Sequence, residues 1–126
     1  MTLDVADLQQ RLRAVAAARQ WQPSHTPKNL AIALMVEAAE LQELFQWLTP
    51  EESQQLTADP VQKERVGEEM ADVLLYLLQL ADHTGVDLRD AVERKLVKNA
   101  IKHPVPPAGP ASADGPQPGS AHSGVL

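Results

Sequence analysis

The chain has 126 residues, 44% hydrophobic but only 3% aromatic, with a formal charge of −6 and no cysteine. That length suits one domain and is short for two, and so few aromatics favour aliphatic helix packing over a sheet-rich fold. The missing cysteines exclude disulfides, a thiol nucleophile and a thiolate metal site, while the acidic balance argues against wholesale binding to nucleic acid or anionic membranes.

The N-terminus lacks a basic region followed by an apolar core, and no apolar run approaches a membrane span, so a soluble cytoplasmic protein is expected. The first helix is expected from about Thr2 or Asp4 to Arg19, with Leu8, Leu12 and Val15 on one side. Gln22-Pro23-Ser24-His25 reads as a loop. Thr26 offers an N-cap with Pro27 at the first helical position, opening a second helix to about Leu48. Thr49-Pro50-Glu51-Glu52 forms a capping box that starts a short helix. Asp59-Pro60 begins the next long helix, which ends near Gly85 as a C-cap. Asp87, with Asp90 three residues on, begins the last one, reaching about Lys102. The fold class is therefore all-α, with four principal helices and one minor one.

Residues 1–103 read as the folded domain. The Pro/Gly/Ser-rich stretch 104–126 holds six of the ten prolines and no periodicity, and is expected to be a disordered tail. In the third principal helix, Val73, Leu74, Leu75, Leu77, Leu78, Leu80 and Ala81 cover nearly the whole circumference. A helix apolar all round is buried on more than one side, so a subunit interface is expected to cover its second face.

Two helices each set a pair of carboxylates into apolar sequence: Glu37-x-x-Glu40 and Glu69-x-x-Asp72. At about 100° per residue, Glu37 falls in the stripe of Leu30, Leu34, Leu41, Leu44 and Leu48. Glu69 falls among Val66, Val73, Leu77 and Leu80, with Tyr76 close by. Each leading Glu is thus aimed at the core, with its companion at the stripe's edge. Buried carboxylates are costly unless paired, so four that meet call for a cation. Oxygen donors alone suit Mg²⁺ or Mn²⁺, and the absence of a His three residues after either Glu argues against di-iron chemistry. Mg²⁺ usually shares its shell with phosphates, so a polyphosphate is the natural partner. Either pair alone would also fit a solvated helix face. Lys95, Asn99 and Lys102 share one face of the last helix, where they suit phosphate or simply complement the helix dipole. Trp21, Trp47 and Tyr76 fit either core packing or a base-stacking wall, and His25 fits a surface loop.

The stretch Glu37-Ala-Ala-Glu40-Leu-Gln-Glu-Leu-Phe-Gln-Trp47, followed by Glu68-Glu69-Met-Ala-Asp72-Val-Leu-Leu-Tyr76-Leu, closely resembles the MazG-like all-α nucleoside triphosphate pyrophosphohydrolases. Within them it looks most like the dCTP pyrophosphatase branch. Arg19-Gln-Trp21, His25-Thr-Pro27-Lys28-Asn29-Leu30 and the run from Lys95 to Pro104 extend the resemblance over about residues 8–104. In place of the family's usual Asn-Arg-x-Lys-Tyr-Pro stands Asn99-Ala100-Ile101-Lys102-His103-Pro104.

The resemblance implies a four-helix-bundle-type fold whose helices pair across subunits, as a homodimer or homotetramer. It implies Mg²⁺-dependent hydrolysis of a (deoxy)nucleoside triphosphate to monophosphate and pyrophosphate, with dCTP or a modified dCTP as the substrate suggested, in nucleotide-pool cleansing. Glu37, Glu40, Glu69 and Asp72 would be the metal ligands, one of them or an adjacent acid activating water. Trp21, His25, Trp47 and Tyr76 would form the base and sugar pocket; Lys28, Lys95, Asn99 and Lys102 would lie near the phosphates. A non-catalytic nucleotide- or metal-binding module, or a helical interaction protein, is the alternative.

Overall fold

A computed structural model describes residues 2–108. The chain forms five α-helices: α1 (Val5–Ala18), α2 (Pro27–Glu43), α3 (Pro50–Gln55), α4 (Pro60–Thr84) and α5 (Leu88–Lys102). Single 3₁₀ turns occupy Gln22–Ser24 and Leu56–Ala58, and no strand occurs among the described residues. The all-α expectation holds. Two compact units divide between Val86 and Asp87, the first holding α1 to α4 and the second α5. The expected disordered tail falls largely on residues 109–126, outside the described ones; residues 104–108 carry no regular structure.

Every α-helix starts where a side chain takes up an otherwise orphaned backbone N–H. Asp4 accepts from the Asp7 amide, Thr26 from Asn29, Asp59 from Val61 and Asp87 from Asp90. At α3 the capping box is reciprocal: Thr49 Oγ1 accepts from the Glu52 amide, and Glu52 Oε1 accepts from the Thr49 amide. Those two bonds hold the Glu52 carboxyl below its ordinary pKa. At the other end of α4, Gly85 adopts the left-handed conformation (φ 70°) that closes the helix.

α2 is shorter than its sequence pattern suggests, ending at Glu43 rather than near Leu48. Beyond Glu43 the amides of Leu44 and Phe45 bond to Leu41 and Gln42, three residues back, so the α-ladder tightens into turns. Thr49 then takes the extended conformation that a following proline imposes. Leu44, Phe45 and Leu48 stay half-buried through the turns, so the apolar stripe outlasts the helix that carries it.

In the first unit, the most deeply buried side chains are Leu30 of α2, Leu78, Ala81 and Val66 of α4, and Ala16 of α1. α2 and α4 form the main packed pair. His25, just before α2, lies against His83 in the last turn of α4, while Glu37 lies by Glu69 further back along α4. The two helices therefore run antiparallel. α1 instead runs parallel to α4: Gln9 Nε2 donates to the Leu78 carbonyl, and one turn on Arg13 Nη1 donates to Asp82 Oδ1 at 2.7 Å. The apolar circumference of α4 is only partly covered. Leu78 and Ala81 are buried, Val73, Leu74, Leu75 and Leu80 half-buried, and Leu77 and Met70 exposed.

Candidate functional site

Glu69, Asp72, Tyr76, Gln79 and His83 recur at three- and four-residue intervals, so they line one face of α4. The acids lie towards its start and the ring-bearing residues towards its end. α2 meets the first part of that face, and the 3₁₀ turn with α1 meets the second.

The antiparallel pairing brings the two acid motifs to one level. Glu37, Glu40 and Glu69 each offer a carboxylate oxygen within 4.8 Å of the others. Asp72 is close enough to Glu37 and Glu69 for its charge to act on both. As the helical wheel requires, Glu37 and Glu69 are half-buried while Glu40 and Asp72 stand exposed at the rim. Oε2 of Glu37 and Oε2 of Glu69 are buried with no hydrogen-bond partner. Loss of solvent is the main force raising the Glu37 pKa, followed by a hydrogen bond with Glu40 and the charges of Glu40, Asp72 and Glu69. Glu69 is raised by burial first, then by the charges of Glu40 and Asp72. Orphaned buried oxygens in a mutually repelling cluster fit a divalent cation, which would supply the missing partner for each.

Further along α4 a cleft of about 300 Å³ opens between Leu12 and Val15 of α1, Trp21 and His25 of the connecting turn, and Tyr76 and Gln79 of α4. The turn is shaped by a C-cap at the end of α1. The Trp21 amide reaches back to the Ala16 carbonyl and the Gln20 amide to Ala17, with Gln20 in the left-handed region at φ 56°. Trp21 is thereby set against His25, ring centroids 6.1 Å apart, with the Arg19 guanidinium 5.4 Å from the indole centroid. Aliphatic walls with two aromatic rings and a few polar edges suit a flat heterocycle.

Not every sequence-derived residue joins these two places. Trp47 stands 87% exposed in the turns after α2 and lines neither the cleft nor the acid cluster. Lys28 is exposed in the first turn of α2. Lys95, Asn99 and Lys102 share a face of α5, in the second unit. Conversely, sequence reasoning passed over Arg13, Gln79, Asp82 and His83. His25 and His83 pack edge to face, centroids 6.4 Å apart, and a second cleft of about 380 Å³ opens beside them, lined by Arg13, Gln22 and Asp82. Continuing the spacing of Asp72 and Tyr76 along α4 would have found Gln79 and His83; nothing local would have found Arg13, which arrives from α1.

The family model for the MazG-like family matches residues 32–114. Human dCTP pyrophosphatase 1 is 43% identical over 89 residues, which cover 71% of this chain and 52% of the relative. The bovine protein of the same name is 42% identical over 90 residues, with 71% and 53% covered. The chain thus spans about half the length of the curated relatives it matches. A solved structure of a pyrophosphatase from Archaeoglobus fulgidus superposes with a TM-score of 0.73 at 41% identity, covering 83% of this chain and 96% of that one.

Proposed function

Because the chain belongs to the MazG-like family, we propose that it hydrolyses nucleoside triphosphates to the monophosphate and pyrophosphate with a divalent cation, Mg²⁺ in the first instance. The observation that carries this reading is the pair of orphaned buried oxygens of Glu37 and Glu69 within the acid cluster. α4 carries one of them and also one wall of a cleft fit for a nucleobase. Given the names of its relatives, dCTP or a modified dCTP is the substrate proposed.

Glu37, Glu40, Glu69 and Asp72 would hold the cation, which when bound would neutralise phosphate charge and make water more acidic. Trp21 and Tyr76 flank the base, and His25 closes the edge of that cleft. Lys28, Lys95, Asn99 and Lys102 are proposed for the phosphates on family resemblance alone. A carboxylate not engaged with the cation takes the proton from the attacking water. The water oxygen bonds to the α-phosphorus, and the bond to the α,β-bridging oxygen breaks with that oxygen leaving on pyrophosphate.

The working form is proposed to be a homodimer or homotetramer. Ile32, Met35 and Val36 of α2 are 54%, 69% and 51% exposed, and Met70 and Leu77 of α4 are also open. Ile32, Met35 and Val36, at i, i+3 and i+4, share one open face of α2, which fits an interface. The reaction is tested by pyrophosphate release from a panel of dNTPs with Mg²⁺ or Mn²⁺. Turnover by wild type and its loss in Glu69→Gln support the reading; no turnover of any nucleotide by the folded oligomer sinks it.

A further inference from the structure

The turn that gives Trp21 and His25 to the base cleft is held from two sides, by different means. On the α1 side the hold is backbone alone: the Trp21 amide donates to the Ala16 carbonyl and the Gln20 amide to that of Ala17. On the α2 side it is a side chain, for Asn29 Nδ2 donates to the Ser24 carbonyl at 3.0 Å. Ser24 Oγ in turn donates to the Trp21 carbonyl at 2.8 Å, so Asn29 reaches Trp21 through one intermediate residue. Among the described residues no other side-chain hydrogen bond joins this turn to a helix.

Asn29 is itself fixed. Its backbone amide donates to Thr26 Oγ1 at 3.2 Å, which sets the residue in the first turn of α2. The Ser24 carbonyl can only accept, so the side-chain group facing it must be the amide nitrogen. Glu37 follows on the same helix, roughly 12 Å along its axis at about 1.5 Å per residue. One helix therefore holds both ends of the site: the acids Glu37 and Glu40 by covalent attachment, and the base wall through Asn29. Resting on the proposed nucleotide site, we infer that Asn29 is a positioning residue, which ties the base-binding turn to the acid-bearing helix and so sets the span between base and cation.

The span matters because a nucleotide occupies both ends at once, its base and triphosphate being joined through one sugar. The remaining contacts of the turn do not set it. The two backbone bonds to Ala16 and Ala17 fix how the chain leaves α1, and leave its approach to α2 open. The Arg19 guanidinium, 5.4 Å from the indole centroid, restrains the Trp21 ring but moves with the turn. Removing the Asn29 side chain loosens the turn from α2 while the acids and the Thr26 cap stay in place. The turn must then be ordered each time a nucleotide binds, and that cost falls on binding rather than on the chemical step.

The test is steady-state kinetics with dCTP and Mg²⁺. Asn29→Ala should raise KM about fivefold and leave kcat within about twofold, the scale of one exposed hydrogen bond spent on binding. Ser24→Ala cuts the next link and should act in the same direction. Because both cut one chain of bonds, the double variant should raise KM by less than the product of the single effects. Asn29→Gln, which keeps the donor on a longer arm, should recover part of the loss. A second measurement needs no nucleotide: the fluorescence anisotropy of Trp21, read in a Trp47→Phe background, should fall on adding Asn29→Ala or Ser24→Ala. An unchanged KM in Asn29→Ala, a fall in kcat at constant KM, or fully multiplicative effects in the double variant overturns the inference. If no nucleotide is hydrolysed, the proposed activity fails while the tether is still read from the anisotropy. Unchanged anisotropy in both variants then overturns the tether too.

Discussion

Glu37 of α2 and Glu69 of α4 face one another across the antiparallel helix pair, each with Oε2 buried and lacking a hydrogen-bond partner. Glu40 reaches both, and the charge of Asp72 is felt by both. Without a cation the cluster is a local cost to the fold; with one it becomes a binding site.

Mg²⁺ should therefore raise the melting temperature of wild type, and Glu37→Gln or Glu69→Gln should abolish that rise. Either substitution should also lower turnover by about a hundredfold or more, since cation-assisted charge stabilisation is worth several kcal/mol. Thermal melts with and without Mg²⁺, alongside pyrophosphate release, check both outcomes. A Mg²⁺ shift that persists in both variants places the cation elsewhere.

The same cluster sets a pH dependence for the metal-free protein. Burial raises Glu37 and Glu69 above the ordinary value of 4.5. Between that value and the raised ones, the folded chain holds protons that the unfolded chain has already released. The contribution of these groups to stability therefore falls as pH rises through this window. Glu52 acts oppositely, its contribution being lost as pH falls below the ordinary value through its lowered one. Metal-free melting temperatures from about pH 4 to pH 7 should thus decline less towards neutrality in Glu37→Gln than in wild type. Parallel curves would refute the assignment.

Two local devices should respond in opposite directions. Thr49→Ala removes one half of the capping box and should cost about 1 kcal/mol in chemical denaturation. Gln20→Gly relieves a left-handed residue at φ 56° and should gain about 1 kcal/mol. A loss at Gln20→Gly would mean that its side chain contributes more than its backbone costs.

The open apolar surface gives a prediction about assembly. With Met35 69% exposed beside Ile32 and Val36, sedimentation should show an oligomer at micromolar concentration. Met35→Lys should shift it towards monomer and make the melting temperature depend more steeply on concentration. A wild-type monomer across that range would rule out the proposed pairing.

Helix starts were legible in the sequence because each depends on a few adjacent residues. Asp4, Thr26, Thr49, Asp59 and Asp87 all make the bonds their positions imply. The leading acids were legible because three-residue spacing fixes direction on a helix, and a half-buried Glu37 and Glu69 follow. The end of α2 was not, since Leu44 and Leu48 keep the apolar period after the backbone has left the α-ladder. The polar cleft was hidden for another reason: Arg13 and Asp82 lie 69 residues apart, and only the docking of α1 makes them neighbours.

That docking has a consequence for how the protein breathes. α1 supplies Leu12 and Val15 to the base cleft, yet its one buried residue is Ala16 and its side-chain bonds to α4 are those of Gln9 and Arg13. The acids sit instead on the more extensively packed α2–α4 pair. Amide exchange should accordingly be faster along α1 than in the middle of α4. One wall of the cleft can then part from a helix pair that keeps its acids in register, so a base could come and go without dismantling the charged end of the site.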